Sequence, residues 1–544
     1  MSETNGKKLP TGWAMAKIED LFWPLEDGRT LHQGWSPQCE KTPAPTDDDW
    51  GVLKTTAIQA GAFLPQYNKS LPKRLTPRQQ TEVKSGDILI TCAGPRVRCG
   101  VACLVRQTRP RLMMSGKMYR FRVSPDHFDA RFLEAYLLTS RATAAVDKMK
   151  TGGSDSGLNL THDRFRPLPV PVAPLKEQRR IMDAIDELFS DLDAGIATLE
   201  RVQAKLKIYR ASVLKAAVEG ALTADWRAKH TVTESAEVLL THILAERRRL
   251  WEKTQIQKFK DAGKDPTNNW KAKYQDPAAP NATKFPTLPE GWCWASVDHL
   301  LSAPIINGIS VRGTDGPPGI PALRLNAMSE SGFDYSIKRY LPLKPTDVDD
   351  LWITADDFFV SRGNGSKHLV GRGTFAQSPP ERIIFPDTMM RLRFIKESIA
   401  LKWISTIWSS GFVRNQIERI AKTTAGIYKI SQPDLARITV PVPPMAEQEA
   451  IVEAVEDQLS VIDHLQADLE TKLKSAQALR QSILHHAFTG QIVPQNPKDE
   501  SAAELLKRIA VQRDEIIRQA KAAKQKKPKT KAPRKIATGK SATK

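Results

Sequence analysis

The chain contains a repeat of the size of a domain. Residues 171–223 align without a gap onto residues 441–493, and 17 of these 53 positions are identical. A shorter match precedes each block, because LPTGW at 9–13 returns as LPEGW at 288–292. The repeat is longer than the unit of about 20–50 residues found in solenoids. We therefore expect two related domains in a pseudo-twofold arrangement.

The chain can be divided into three blocks, A, B and C, followed by their second copies A′, B′ and C′. The similarity between the copies differs from block to block. It is high in B (171–223), moderate in C (the SAEVLL segment from 235, matched by SAAELL from 501), and patchy in A. Either A has drifted since an old duplication, or B and C are a scaffold and each A block recognises something different. A twofold scaffold with two readers suits a target with two halves, of which duplex DNA is the commonest.

Block B predicts one long helix in each copy. A proline-rich segment at 168–172 comes first, and proline places such a segment at a sheet edge. A Glu-Gln pair follows, Gly220 and Gly490 are candidate C-caps, and apolar residues between them keep a three-four spacing. This pattern favours an antiparallel coiled coil; the alternative is two amphipathic helices on separate cores. Each helix would be roughly 65 Å long and would fix the separation of the A domains.

Block A mixes short strands with helices. Alternating apolar residues predict strands at 87–91 and 119–123, whereas the patterns at 132–138 and 401–408 are helical. Segment 225–285 is predicted to be a polar helical linker that ends in proline-rich turns. The fold class is therefore α+β.

Charge and cysteine content restrict the partners and the compartment. The net charge is +20, and ten basic residues without any acid lie in the tail at 521–544. Such a tail is expected to be disordered and either solubilises the chain or contacts phosphates. The five cysteines form no CxxC pair, and no apolar run reaches 18 residues. These features predict a reduced, cytoplasmic protein without a membrane span or a metal.

Motifs of catalysis are missing from the sequence. It contains neither the Asn-Pro-Pro-aromatic motif of amino-methyltransferases nor a GxxxxGK[ST] nucleotide loop. Pro125-Asp126 and Pro386-Asp387 lack the downstream Glu-x-Lys of restriction nucleases. We expect no catalytic residue, no bound cofactor and no metal in this chain.

A polar loop follows the corresponding strand in each A block, at 93–98 and 362–368, and the two loops differ in sequence. Glycine allows close approach, while arginine and asparagine are suited to guanine and adenine edges; the alternative is an ordinary surface hairpin. The predicted base readers are Arg96, Arg98, Arg362 and Asn364, and Ser366 and Lys367 are predicted phosphate contacts. Lys54, Thr56, Arg324 and Asn326 form a second equivalent set, and Lys117 is a further candidate.

These paired elements resemble a known family. The LPxGW openings, the PVPxPxxEQ helix entries, the two long helices ending at glycine and the lysine-rich tail are similar to the specificity (S, or HsdS) subunit of type I restriction-modification enzymes. The similarity covers nearly the whole chain. The SAAELL helix and the basic tail look like the type IA branch.

The resemblance implies a non-catalytic bacterial or archaeal protein whose two target-recognition domains each read half of a bipartite, asymmetric DNA site. Its expected partners are double-stranded DNA, two methyltransferase (M) subunits and two restriction (R) subunits. S-adenosylmethionine, ATP and Mg would belong to those subunits. The competing interpretation is a coiled-coil protein-interaction scaffold whose basic tail is incidental.

The expected fold is two α/β target-recognition domains separated by an antiparallel coiled coil. Its predicted segments are recognition domain 1 (1–176), the first spacer helix (177–222), a helical linker (223–285), recognition domain 2 (286–446), the second spacer helix (447–491), and a C-terminal helix with a disordered basic tail (492–544).

Overall fold

The computed structural model describes residues 9–526 except 232, 278, 281, 284 and 425. The part of the predicted basic tail at 527–544 lies outside the described residues. Among the described helices, none has both the length and the apolar character needed to cross a membrane.

Within the described residues, the first half of the chain forms thirteen strands and six α-helices. Its strands are β1 (Ala14–Lys17), β2 (His32–Gln33), β3 (Gly51–Leu53), β4 (Ile58–Gln59), β5 (Ala62–Phe63), β6 (Asn68–Ser70), β7 (Ile88–Thr91), β8 (Ala93–Gly94), β9 (Ala102–Leu104), β10 (Leu112–Met113), β11 (Met118–Phe121), β12 (Leu158–Asn159) and β13 (Pro169–Val172). Its helices are α1 (Ala130–Leu137), α2 (Ser140–Met149), α3 (His162–Phe165), α4 (Leu175–Val218), α5 (Ala224–Lys229) and α6 (Ala236–Asp261).

Among the residues that the structure describes, the second half follows a closely similar order, without counterparts of β10 and α5 and with one additional strand, β24. Its strands are β14 (Cys293–Ser296), β15 (Ile306–Asn307), β16 (Ile320–Leu323), β17 (Met328–Ser329), β18 (Gly332–Phe333), β19 (Lys338–Leu341), β20 (Phe358–Ser361), β21 (Gly363–Asn364), β22 (Gly373–Phe375), β23 (Met389–Leu392), β24 (Lys422–Thr424), β25 (Ile427–Lys429) and β26 (Thr439–Val442). Its helices are α7 (Leu401–Ser409), α8 (Gly411–Ile420), α9 (Gln432–Ala436), α10 (Met445–Ala487) and α11 (Ala502–Lys526). The strands and helices predicted for block A are therefore confirmed.

The chain folds into two compact units whose boundaries fall inside the long helices. The first unit comprises Met1–Leu199 and Thr471–Lys544, and the second comprises Glu200–Glu470. Each unit therefore contains one half of α4 and one half of α10. The segment predicted as a helical linker, 223–285, belongs to the second unit, where Leu239 and Ile243 of α6 are buried in the core.

Each unit has the same central sheet. Its antiparallel strand order is β2-β11-β7-β9 in the first unit and β15-β23-β20-β22 in the second. The first and last strands of each recognition domain also pair, since β1 joins β13 and β14 joins β26. Both β13 and β26 contain proline, which has no N–H to donate to a neighbouring strand. Each of these strands lies in a two-stranded sheet and therefore has a neighbour on one side only, where proline is accommodated.

Inside each unit the two helix halves lie side by side. In the first unit Arg480 of α10 forms an ion pair with Asp193 of α4. In the second, Arg210 of α4 pairs with Asp463 of α10, and Tyr209 donates a hydrogen bond to Gln458 at 3.4 Å. Thr223, beyond the end of α4, contacts Glu447 at the beginning of α10. The helices therefore run antiparallel, as the coiled-coil pattern predicted.

The repeated Glu-Gln pair joins each long helix to its own recognition domain. The Trp13 indole N–H donates to the buried Glu177 carboxylate at 3.0 Å, and that of Trp292 donates to Glu447 at 2.7 Å. Gln178 accepts from the Asp129 N–H at 3.0 Å and donates to the Ala173 carbonyl at 2.8 Å. In each copy, the tryptophan of the LPxGW motif thus donates a hydrogen bond to the glutamate of the Glu-Gln pair.

Replacing Glu177 with glutamine should stabilise the first unit near neutral pH. Burial raises the pKa of the Glu177 carboxyl, an effect that Asp499 adds to and that the Trp13 N–H and Arg180 oppose. Because the pKa in the folded state lies above that of the unfolded chain, stability falls as pH rises through the interval between the two values. Glutamine can still accept the Trp13 hydrogen bond, but it has no charge to bury.

The measurement is the melting temperature of both proteins between pH 4 and pH 7.5. We expect the advantage of Glu177→Gln to shrink toward pH 4, where the glutamate itself becomes protonated. Glu187→Gln, at an exposed position of the same helix, is the control. A lower melting temperature for Glu177→Gln at pH 7.5 would contradict this account.

Glycine ends both long helices, as predicted. Gly220 and Gly490 have φ values of +70° and +72°. The next N–H donates back to the carbonyl five residues earlier, from Ala221 to Ala216 at 2.8 Å and from Gln491 to His486 at 2.9 Å. This is the hydrogen bond of a Schellman cap, which satisfies a carbonyl that the helix leaves free.

The two C helices dock on the openings of the recognition domains in an exchanged order. The Ala236 N–H at the beginning of α6 donates to the Gly291 carbonyl at 2.8 Å, and that of Ala502 in α11 donates to Gly12 at 2.8 Å. The helix that follows the first copy therefore completes the second unit, and the helix that follows the second copy completes the first.

Candidate nucleic-acid interface

A buried ion cluster fixes the strands that carry the predicted loops. Asp87, just before β7, accepts from Arg122 at 2.5 Å and lies 3.5 Å from Arg120. Asp357, just before β20, accepts from Arg393 at 2.5 Å and lies 3.7 Å from Arg391. Both carboxylates are almost fully buried. Matching clusters therefore hold the beginnings of the two strands whose opposite ends lead into the predicted loops.

Each predicted loop is paired with the segment that precedes the last strand of its domain. In the first unit β8 pairs with β12, which a bridge from Thr151 to Asn159 extends. In the second unit β21 pairs with β25, which pairs with β24. The structure therefore brings together the 93–98 loop with residues 151–159, and the 362–368 loop with residues 422–429.

The main chain at the strand end follows the same path in both units. The Cys92 N–H donates to the Lys117 carbonyl at 2.8 Å, and the Leu160 N–H donates to the Cys92 carbonyl at 2.8 Å. In the second unit the Arg362 N–H donates to Thr388 at 2.8 Å, and Ile430 donates to Arg362 at 3.0 Å. Arg362 thus occupies the position of Cys92, a buried thiol whose pKa burial raises to about 12.

The predicted base reader Arg96 is held by acidic side chains of its own domain. Its guanidinium lies 2.7 Å from Asp147 and 3.0 Å from Asp155, and its carbonyl accepts from Lys150 at 2.9 Å. These contacts take three of the five guanidinium N–H groups, so a bidentate contact to a base competes with the two carboxylates. The side chain is nevertheless 46% exposed, so Arg96 remains a prediction.

Arg98 points into the domain and contacts the turn that carries Lys54 and Thr56. It donates to the carbonyls of Thr55 and Ile58, the latter at 2.9 Å, and to Gln59 at 3.1 Å. These acceptors use both terminal nitrogens, which indicates a positioning role for Arg98. Lys54 is half-buried and Thr56 is exposed, and their side chains have no partner among the described residues.

In the second unit the predicted residues are less constrained. Arg362 is half-buried and makes one long side-chain hydrogen bond, to the Asp387 carbonyl at 3.4 Å. The Asn364 side chain accepts from the Ser366 N–H at 3.1 Å, which shapes the loop, and Lys367 is exposed. Arg324 pairs with Asp315, and Asn326 is exposed on the neighbouring turn.

Sequence reasoning missed an exposed glutamine beside this site. Gln33, at the end of β2, donates to the Gly116 carbonyl at 2.7 Å. Lys117, the next residue, is exposed. No motif contains Gln33; only the alignment of β2 with β15 gives it a counterpart, Asn307, whose pairing with Met390 matches that of Gln33 with Tyr119.

The groups on this surface are hydrogen-bond donors and acceptors suited to recognition. Within the part of the chain that the structure describes, no three His, Cys, Asp or Glu side chains are grouped so as to hold a metal ion. The site offers guanidinium, amide, ammonium and hydroxyl groups in a different combination in each unit, on a shared main-chain path.

Comparison with known proteins gives consistent results. Residues 10–201 match the family described as the type I restriction modification DNA specificity domain. The EcoEI specificity subunit of Escherichia coli is 36% identical over 196 residues, which are 36% of this chain and 32% of that relative. The EcoKI specificity subunit of E. coli K12 is 24% identical over 530 residues, covering 93% of this chain and 96% of the relative.

A similar fold is found in a structure described as the basis of complex assembly and conformational transition of the type I R-M system. It covers 89% of this chain and 100% of that chain, with 15% identity and a TM-score of 0.59. The fold, the duplicated motifs and the sequence matches along most of the chain agree. Residues 10–201 thus match the type I restriction modification DNA specificity domain, and the chain is similar over most of its length to specificity subunits of type I restriction enzymes.

Proposed function

We propose that this chain is the non-catalytic subunit that supplies DNA sequence specificity to a type I restriction-modification complex. Each recognition domain reads one half of a bipartite, asymmetric site. The observation that carries the proposal is the pair of equivalent strand ends. On the same main-chain path, one unit has Arg362 where the other has the buried Cys92, next to the exposed Lys117. Because the side chains differ on a shared framework, the two domains should prefer different bases.

In this proposal the chemistry is performed by other subunits. Two M subunits methylate adenine N6 with S-adenosylmethionine, and two R subunits use ATP and Mg in translocation and cleavage. This chain would bind neither cofactor, and its contribution is to choose the site and place the M subunits on it.

Methylome sequencing of a host that carries the chain with its M subunits tests the proposal. We expect N6-methyladenine in one two-part motif with different halves and a spacer of constant length. Methylation at a continuous palindrome, or none above that of a host without this chain, would contradict it.

Arg362→Ala should weaken recognition of one half-site only. If the guanidinium binds a base in bidentate fashion, we expect a loss of about 1–3 kcal/mol on the natural site and little change on sites already substituted in that half. Binding of the complex to duplexes mutated in each half measures this difference. Arg419→Ala, at an exposed position of α8 in the same unit, is the control. A loss that is equal on every sequence would instead identify a phosphate contact.

A further inference from the structure

We propose that Gln33 is the base-reading side chain of the first recognition domain, and that from a neighbouring strand it takes the role that Arg362 has in the second. Gln33 would select an adenine in its half-site, and Arg362 a guanine. The inference rests on the proposed function, since it names which side chain reads each half and which base it selects.

The first argument is that an equivalent carbonyl, called the anchor below, accepts a hydrogen bond from the proposed side chain in each unit. Gly116 and Asp387 each lie one residue before the hairpin position, Lys117 or Thr388, that accepts the N–H at the strand end. The Gly116 carbonyl accepts from the Gln33 side chain at 2.7 Å, and the Asp387 carbonyl accepts from the Arg362 side chain at 3.4 Å. One equivalent carbonyl therefore orients a different polar side chain in each unit.

The second argument is rigidity around the anchor. Gly34, the residue after Gln33, packs tightly against the hairpin. A Cβ atom at position 34 would lie only 2.2 Å from the Ser115 carbonyl oxygen. Ser36 accepts the Gly116 N–H at 3.0 Å. Gly308 makes the equivalent approach in the second unit, where a Cβ would lie 2.1 Å from the Phe385 carbonyl oxygen. The strand that carries Gln33 is thus fixed to the hairpin, and a fixed side chain loses little freedom on binding.

The third argument is the chemistry that remains free. A carbonyl can only accept, so the amide nitrogen of Gln33 must face Gly116. The second N–H of this amide points toward Cys92 Sγ at 4.0 Å, a weak contact that a base edge can replace. The side-chain oxygen has no hydrogen-bond partner among the described residues. A donor beside an acceptor matches N7 and the N6 amino group of adenine. Arg362 instead keeps several donors free, which match N7 and O6 of guanine.

The fourth argument is the state of the neighbouring candidates. Arg96 is paired with two carboxylates, and Arg98 is occupied by main-chain carbonyls and Gln59. Lys117 is exposed beside Gln33, but an ammonium has no acceptor and cannot recognise the adenine pattern. Ser36 is also exposed, but its hydroxyl accepts the Gly116 N–H. Gln33 is an exposed amide at this carbonyl and carries a donor and an acceptor side by side.

The test uses the full chain in complex with its M subunits. After methylome sequencing has defined the site, binding is measured on duplexes in which each base pair is substituted in turn. We expect Gln33→Ala to remove the discrimination at one adenine–thymine pair of one half-site, a change of roughly 5- to 150-fold. Discrimination in the other half-site should be unchanged, and Arg362→Ala should affect only that other half.

Gln79→Ala is the matched control, because Gln79 is an exposed glutamine of the same unit, in the turn Gln79–Thr81. Gln33→Arg provides a gain of function, since it should shift the preference at the same position from adenine to guanine. Melting curves check that each variant folds.

The outcomes separate the two proposals. If the unaltered complex reads a two-part site but Gln33→Ala discriminates like Gln79→Ala, or loses affinity equally on every duplex, the assignment of Gln33 is overturned and the proposed function stands. A Gln33→Arg variant that keeps the adenine preference also overturns it. If the unaltered complex recognises no two-part site, the proposed function itself fails.

Discussion

Glu447→Ala is expected to destabilise the second unit by about 3 kcal/mol, because it leaves a partly buried cation without its anionic partner. The Glu447 carboxylate is fully buried and accepts from Trp292 at 2.7 Å and from Thr223 at 2.6 Å. It also forms an ion pair with Arg227, whose side chain is only 20% exposed. The substitution therefore removes the acceptor of three donors at once.

Hydrogen exchange measured by mass spectrometry tests this expectation, because a chain with two units need not unfold in one step. Protection should fall in residues 200–470 and remain in the first unit. Glu449→Ala changes an exposed glutamate two positions along the same helix and should leave exchange unaltered. Exchange that is the same in both variants would show that the carboxylate does not hold α10 to its domain.

Asp357→Ala should have a similar or larger effect, about 3–5 kcal/mol, in the same unit. Its carboxylate accepts the Thr354 N–H at 2.9 Å and Arg393 at 2.5 Å. The Arg391 guanidinium, 3.7 Å away, is 7% exposed, and burial already lowers its pKa. Without Asp357, Arg391 would keep its charge in a buried site with only main-chain acceptors.

Exchange of the amides in β20 and β23 gives the most direct measurement, since the cluster fixes these strands. Asp87→Ala should lower the protection of the β7 and β11 amides in the first unit by a similar amount. The two substitutions therefore test the same expectation independently in the two units. Asp349→Ala, an exposed aspartate of the same domain, is the control. If β20 and β23 stay protected in Asp357→Ala, the buried ion cluster is not what holds them.

The repeat predicted the scaffold because scaffold contacts are local or made by repeated motifs. Gly220 and Gly490 cap their helices through bonds within six residues, and a helix period can be read from a short window. The exchange of α6 and α11 could not be read in this way. Two similar helices and two similar openings allow either pairing, and only tertiary structure decides between them.

The recognition surface was harder to predict for a related reason. Arg96 and Arg98 have the residue type and the loop position of base readers, but their acceptors lie about 40–60 residues away in sequence and become neighbours only in the fold. Gln33 shows the opposite case. Its environment comes from Gly116, which is 83 residues distant, so no local pattern marks it.

The exchanged helices also determine the order in which the chain can complete its folding during synthesis. The second unit is one continuous segment, Glu200–Glu470, and all of its contacts are available once that segment has emerged from the ribosome. The first unit requires Thr471 and the residues after it, including α11. At about 5–20 residues per second, its first part must wait roughly 15–55 seconds for the partner segment. The recognition domain that is made first is therefore completed last.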